Sequence, residues 1–122
     1  MESISLREED FFEMTNNNYI RRAQIPIVGS RFDYLLNSYK PNRNDKWIMF
    51  HHPGHFYIYD NITKHCIFDV TYIEFPPSEV KNAREERIVA VIPSIKINKN
   101  KSQWSDNADD DWCVADIILK EL

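Results

Sequence analysis

Residues 47–75, WIMFHHPGHFYIYDNITKHCIFDVTYIEF, constrain the fold more than any other stretch of this chain. They carry much of its aromatic content and all four histidines. Side chains alternate between faces along a strand. In residues 46–52, Trp47, Met49 and His51 share one side, and Ile48, Phe50 and His52 the other. Residues 55–60 alternate again, Phe56 and Ile58 against Tyr57 and Tyr59. Residues 64–75 are rich in β-branched and aromatic types, with Cys66, Phe68, Val70 and Tyr72 on one face. Pro53-Gly54 and Asp60-Asn61 are turn pairs. Connections this short make the three segments an antiparallel meander.

The flanks supply the rest of the fold. Ser5 and Glu8 have the spacing of a capping box, and Glu8, Glu9 and Asp10 would load the first turn of a helix over residues 3–20. The Asn16-Asn17-Asn18 run would end it. Residues 24–29 read as an extended linker because Pro26 disfavours helix before it. A second helix is expected from Ser30, with Phe32, Leu35, Leu36 and Tyr39 forming one apolar stripe up to Pro41. Pro76-Pro77 closes the meander, and residues 78–86 suit either a helical turn or a charged loop. Residues 87–97 form a strand that Pro93 bulges or confines to an edge. Residues 98–111 are a polar loop. In the last segment, β-branched Val114, Ile117 and Ile118 favour strand over helix. The expected architecture is therefore α+β: one domain, residues 1–122, with two N-terminal helices packed on an antiparallel sheet of about five strands.

Composition narrows the function classes. The formal charge is -4, which does not suit a phosphate backbone, although Arg21-Arg22 and Lys96, Lys99 and Lys101 form small basic clusters. Two glycines leave no glycine-rich phosphate loop. No apolar run approaches the roughly 20 residues that span a bilayer, and the first residues lack the basic and apolar regions of a signal peptide. A cytoplasmic chain is expected, with no membrane or nucleic-acid partner and no cofactor. Cys66 and Cys113, each among apolar or β-prone neighbours, suit buried thiols, with a disulfide left open.

Two groups carry candidate chemistry. His51, His55 and His65 are imidazoles of the kind that bind zinc, but strand alternation and the missing HExxH or CxxC spacing argue against convergence. His65 and Cys66 are strand neighbours and so point apart, which is poor geometry for a Cys–His nucleophile. The acidic run Asp106, Asp109, Asp110 and Asp111 fails the calcium-loop pattern, with Ala108 at its third position and Asp111 at its sixth. Trp104 and Trp112 bracket this run. Aromatic anchors ringed by charge concentrate binding energy at protein interfaces. Trp104, Asp106, Asp109, Asp110, Asp111 and Trp112 are thus the expected docking surface for a basic protein.

A small, acidic, aromatic-rich single domain without an active-site motif resembles the immunity proteins of bacterial contact-dependent inhibition and other polymorphic toxin systems. The resemblance implies a non-catalytic protein that binds a basic toxin domain of the nuclease type and covers its active site or substrate-binding surface. Two alternatives stand beside it. One is a small metal-dependent or Cys–His enzyme using His51, His55, His65 and Cys66. The other is a phage-encoded inhibitor of host defence.

Overall fold

The computed structural model describes residues 6–76, 86–105 and 117–122. Its centre is a five-stranded sheet of β1 (Asn18–Val28), β2 (Trp47–His52), β3 (His55–Asp60), β4 (Cys66–Glu74) and β5 (Ile88–Asn98). The strand order is β1-β5-β4-β3-β2, and every neighbouring pair is antiparallel. The meander forms because its turns permit nothing longer. Pro53 and Gly54 join β2 to β3, with Gly54 at φ 82, a backbone that glycine adopts without steric cost. Asp60 begins the next turn, and its Oδ1 accepts the Ile62 and Thr63 amides at 2.8 and 3.2 Å.

The α+β reading with two N-terminal helices is corrected: among the described residues the protein is a mostly antiparallel sheet with one short helix. The first helix is replaced by a single 3-10 turn, Glu8–Asp10, then an extended segment and β1. Ala23, Ile25 and Ile27 alternate with Arg22, Gln24 and Pro26, so the supposed linker at 24–29 is mostly strand. Pro26 fits because β1 lies at the sheet edge, where a missing N–H costs no ladder bond on its open side. The second helix shrinks to α1 (Gly29–Asp33) and a π-helical turn, Tyr34–Ser38, closed by the Tyr39 amide on the Tyr34 carbonyl at 2.7 Å. Its stripe packs as expected: Phe32 and Leu35 are buried, with Leu36 and Tyr39 partly buried beside them.

The C-terminal strand expectation is also corrected where residues are described. Ile117–Glu121 form a π-helical turn, and Ile117 and Ile118 are fully buried. Arg31 holds this turn by donating from Nε to the Ile118 carbonyl and from Nη2 to the Leu122 carbonyl, both at 2.8 Å. A guanidinium thus satisfies carbonyls that a helix end leaves open. The fifth strand of the sheet is β1.

Irregularities in the ladder decide which side chains share a face. Pro93 stands inside β5, between β1 and β4, where a central strand normally excludes proline. Register shifts fall beside it on both sides, between Arg22 and Ile25 and between Thr71 and Ile73. Pro93 therefore occupies a bulge, not an edge. Another shift, between Ile58 and Tyr59, turns Cys66 away from the face of Phe68 and Val70. The alternation expected for β4 breaks there, and Ile67 joins the main core instead.

That main core lies on one face of the sheet. Phe32, Phe56, Phe68, Ile92 and Ile97 fill it, under α1 and the C-terminal turn. Each such side chain contributes roughly 1.5–3 kcal/mol by leaving water. Trp104 belongs to it as well, packed edge-on against Phe68. Its indole N–H donates to the Asn98 carbonyl at 3.1 Å. A smaller cluster of Phe11, Ile48, Tyr59 and Cys66 lies on the opposite face.

Candidate functional site

The second face of the sheet is covered on part of its width by residues 6–16, the N-terminal strap. Two backbone bonds hook the strap to the β3–β4 turn. The Phe12 amide donates to the Lys64 carbonyl at 2.7 Å, and the Cys66 amide donates to the Phe12 carbonyl at 2.9 Å. This extended course sends Phe11 inward and Phe12 outward. Phe11 is buried against Phe50 and Tyr59, with centroids at 5.4 and 5.1 Å, whereas Phe12 stacks on the His65 ring at 4.7 Å. At the other end, the Glu8 carboxylate meets His52 Nε2 at 2.6 and 2.8 Å and accepts from the Tyr59 hydroxyl at 3.2 Å.

Strap and sheet enclose an open cleft of about 1080 Å³. Tyr57, Tyr59, Cys66 and Asp69 line it from the sheet, and Glu8, Phe11 and Glu13 from the strap. Tyr57 touches two imidazoles that are cross-strand partners of one another, His55 stacked at 5.4 Å and His52 edge-on at 5.2 Å. His55 Nδ1 donates to Asp69 Oδ1 at 2.8 Å. Burial raises the Tyr57, Tyr59 and Cys66 side chains above their ordinary pKa values, and nearby carboxylates add to each shift. The charges of Glu8 and Glu13 act on all three, and that of Asp69 on Tyr57 and Cys66. The cleft is a region of negative potential with an aromatic floor.

The histidines named from the sequence do not converge. His51 lies on the main-core side of β2, 2.7 Å from the Tyr72 hydroxyl. His55 is on the second face with Asp69, and His65 is in the β3–β4 turn against Phe12. Among the described residues, no group of three or more His, Cys, Asp or Glu side chains is arranged to hold a metal ion. Cys66 is a free, buried thiol whose pKa is pushed up, first by burial and then by Asp69 and Glu8. A thiol nucleophile needs the opposite shift.

Of the docking residues named from the sequence, Asp106, Asp109, Asp110, Asp111 and Trp112 lie outside the described residues, as does Cys113. Trp104 is described and sits in the core, 6% exposed. Its neighbourhood is tied down. Asn98 Nδ2 donates to the Cys66 carbonyl at 3.0 Å and to Gln103 Oε1 at 2.7 Å. The Ser105 amide donates to Asp60 Oδ2 at 2.6 Å, and the Thr63 hydroxyl donates to the Gln103 carbonyl. The acidic run therefore follows directly on a fixed stem.

Sequence reasoning missed Glu8, Phe11, Tyr57 and Asp69. The two-residue turn fixes His52 opposite His55, and hence Phe50 opposite Tyr57, so half of the cleft floor could be counted from that turn. Nothing local marks Glu8 or Phe11, because their partners are distant in sequence. No described helix is long and apolar enough to cross a membrane. Comparison with family models, curated proteins and solved structures gives no match for this chain.

Proposed function

We propose that this protein is a non-catalytic binder of the immunity type, which neutralises a basic bacterial toxin domain, a nuclease for preference, by covering its active site or substrate-binding surface. The observation that carries the reading is the stem at Trp104 and Ser105. A buried indole and a carboxylate-bound amide fix the chain immediately before Asp106, Asp109, Asp110 and Asp111. A rigid root lowers the ordering cost of binding through the adjoining acidic residues. The formal charge of -4 suits a basic partner and speeds encounter with it.

Two placements favour binding over the Cys–His alternative. The Cys66 thiol is held protonated, and His51, His55 and His65 are engaged separately with Tyr72, Asp69 and Phe12. The decisive experiment is co-expression with the product of the neighbouring reading frame, tested for toxicity on its own. Survival that depends on this chain, with a complex whose affinity falls as salt rises, supports the reading. Charge reversal at Asp109, Asp110 and Asp111 is expected to weaken that complex and flatten its salt dependence while the fold persists. Unprotected cells, or unchanged affinity after charge reversal, would count against protection or against this docking run respectively.

A further inference from the structure

The second face has more to offer than the strap covers. Cross-strand partners align there in two rows. Phe50, Tyr57, Asp69, Lys96 and Ile20 stand opposite one another in turn from β2 to β1. His52, His55, Thr71, Ser94 and Arg22 form the next row. The cleft opens where the first row emerges from beneath the strap, so its floor is the rigid middle of a sheet and not a loop.

The charge of this cleft is unbalanced. Glu8, Glu9, Glu13 and Asp69 line it against Arg7 and Lys96. Arg7 is already paired, 3.0 Å from Glu9 and 3.5 Å from Asp10. Asp69 gives Oδ1 to His55, and its side chain is 14% exposed. Beside it stands Tyr57, its ring plane set by the parallel His55 ring at 7°. A fixed aromatic plane with carboxylates around it matches one side chain best. A guanidinium stacks on the ring and donates from a planar fork to the carboxylates, whereas an ammonium does only the second well.

We propose that this cleft receives an arginine side chain of the basic protein partner, with Tyr57 as its platform and Asp69 and Glu13 as its acceptors. This rests on the binding function proposed above and assigns it a second contact surface. The strap and the stem that precedes the acidic run are held by one turn. The β3–β4 turn holds the strap through Lys64 and Cys66, and it holds the stem of the acidic run through Asp60.

The test uses the full-length chain, labelled with ¹⁵N and titrated with a synthetic peptide of alternating glycine and arginine, and with its lysine counterpart. Arginine-peptide shifts centred on Tyr57, Asp69 and the strap are expected, with weaker binding of the lysine peptide. Glu13→Gln, an exposed and conservative change, should lower the affinity about tenfold, as should Asp69→Asn, each removing one charge-assisted contact. Shifts confined to residues 106–111, equal affinity for the two peptides, or no effect of Glu13→Gln would overturn the proposal. The two proposals fail separately. A silent cleft in a chain that still protects cells sinks the arginine site alone. A cleft that binds the peptide in a chain that protects no cell sinks the immunity reading alone.

Discussion

Glu8 and His52 meet across 44 residues of sequence, with the imidazole Nε2 2.6 and 2.8 Å from the two carboxylate oxygens. This contact ties the near end of the strap to β2, and the Phe12 backbone ties the far end to the β3–β4 turn. Between the ties, Phe11 and Cys66 belong to one buried cluster. Glu8→Gln should therefore loosen the strap at one end. Both side chains are substantially exposed, at 34% and 47%, so the stability loss should stay below about 1 kcal/mol. The sharper readout is thiol labelling resolved by peptide mass spectrometry, where Cys66 is expected to react several times faster. An unchanged rate would show that the Phe12 hook alone holds the strap.

Trp104 should be the most costly to truncate among the described residues of the loop after β5. Trp104→Ala removes a buried ring that packs on Phe68 and carries Lys101 Nζ 3.7 Å from its centroid. The expected loss is about 3–5 kcal/mol, read as a shift in the urea midpoint. Trp104→Phe keeps much of the packing but leaves the Asn98 carbonyl without its indole donor, and should fall between the two.

His51 should titrate below the ordinary imidazole value of about 6.5. Burial against Phe56 and Tyr72 disfavours the charged ring, and the neighbouring His52 adds to the effect. The unfolded chain then binds a proton at a higher pH than the folded one. The contribution of His51 to stability is thus complete above the ordinary value and is lost as pH falls through the folded value. NMR titration of the His51 ring checks the direction, and His51→Gln should flatten the acid side of the stability profile.

Arg31→Ala should release the C-terminal turn. Two charge-assisted bonds to the Ile118 and Leu122 carbonyls disappear, at an expected cost of about 1.5–3 kcal/mol. Carboxypeptidase should trim the final residues faster than in the parent chain. Trimming at the parent rate would show that burial of Ile117 and Ile118 suffices to hold them.

The parts of the fold legible in the sequence are those whose partners are close by. Two-residue and short polar turns fix the registers of β2, β3 and β4, and alternation then assigns their faces. The stripe from Phe32 to Tyr39 marks the apolar side of α1, although not how short the helix is. What stayed hidden depends on distant contacts. The alternation of Ala23, Ile25 and Ile27 reads as a strand only once β5 is known to lie beside it, because Pro26 argues locally for a linker. The bulge that turns Cys66 to the second face has no glycine to announce it. At the site, the histidines drew notice as residue types. The carboxylates that give the cleft its character come from the strap and from a neighbouring strand.

The pairing of β1 with β5 sets the order in which the chain can be completed. The two strands lie near opposite ends of the described sequence, so residue 18 waits for residue 98 before their ladder closes. Joining segments so far apart carries a large loop-closure entropy and places the chain among slow, high-contact-order folders. During synthesis β1 and then the meander emerge, and neither yet has β5 to pair with. Once β5 is made, its own far edge stands open until β1 docks. That interval exposes an unpaired edge rich in isoleucine, the kind of surface through which nascent chains aggregate. Arg21, Arg22 and Pro26 on β1 finish the sheet with a charged, proline-broken border once docking is done.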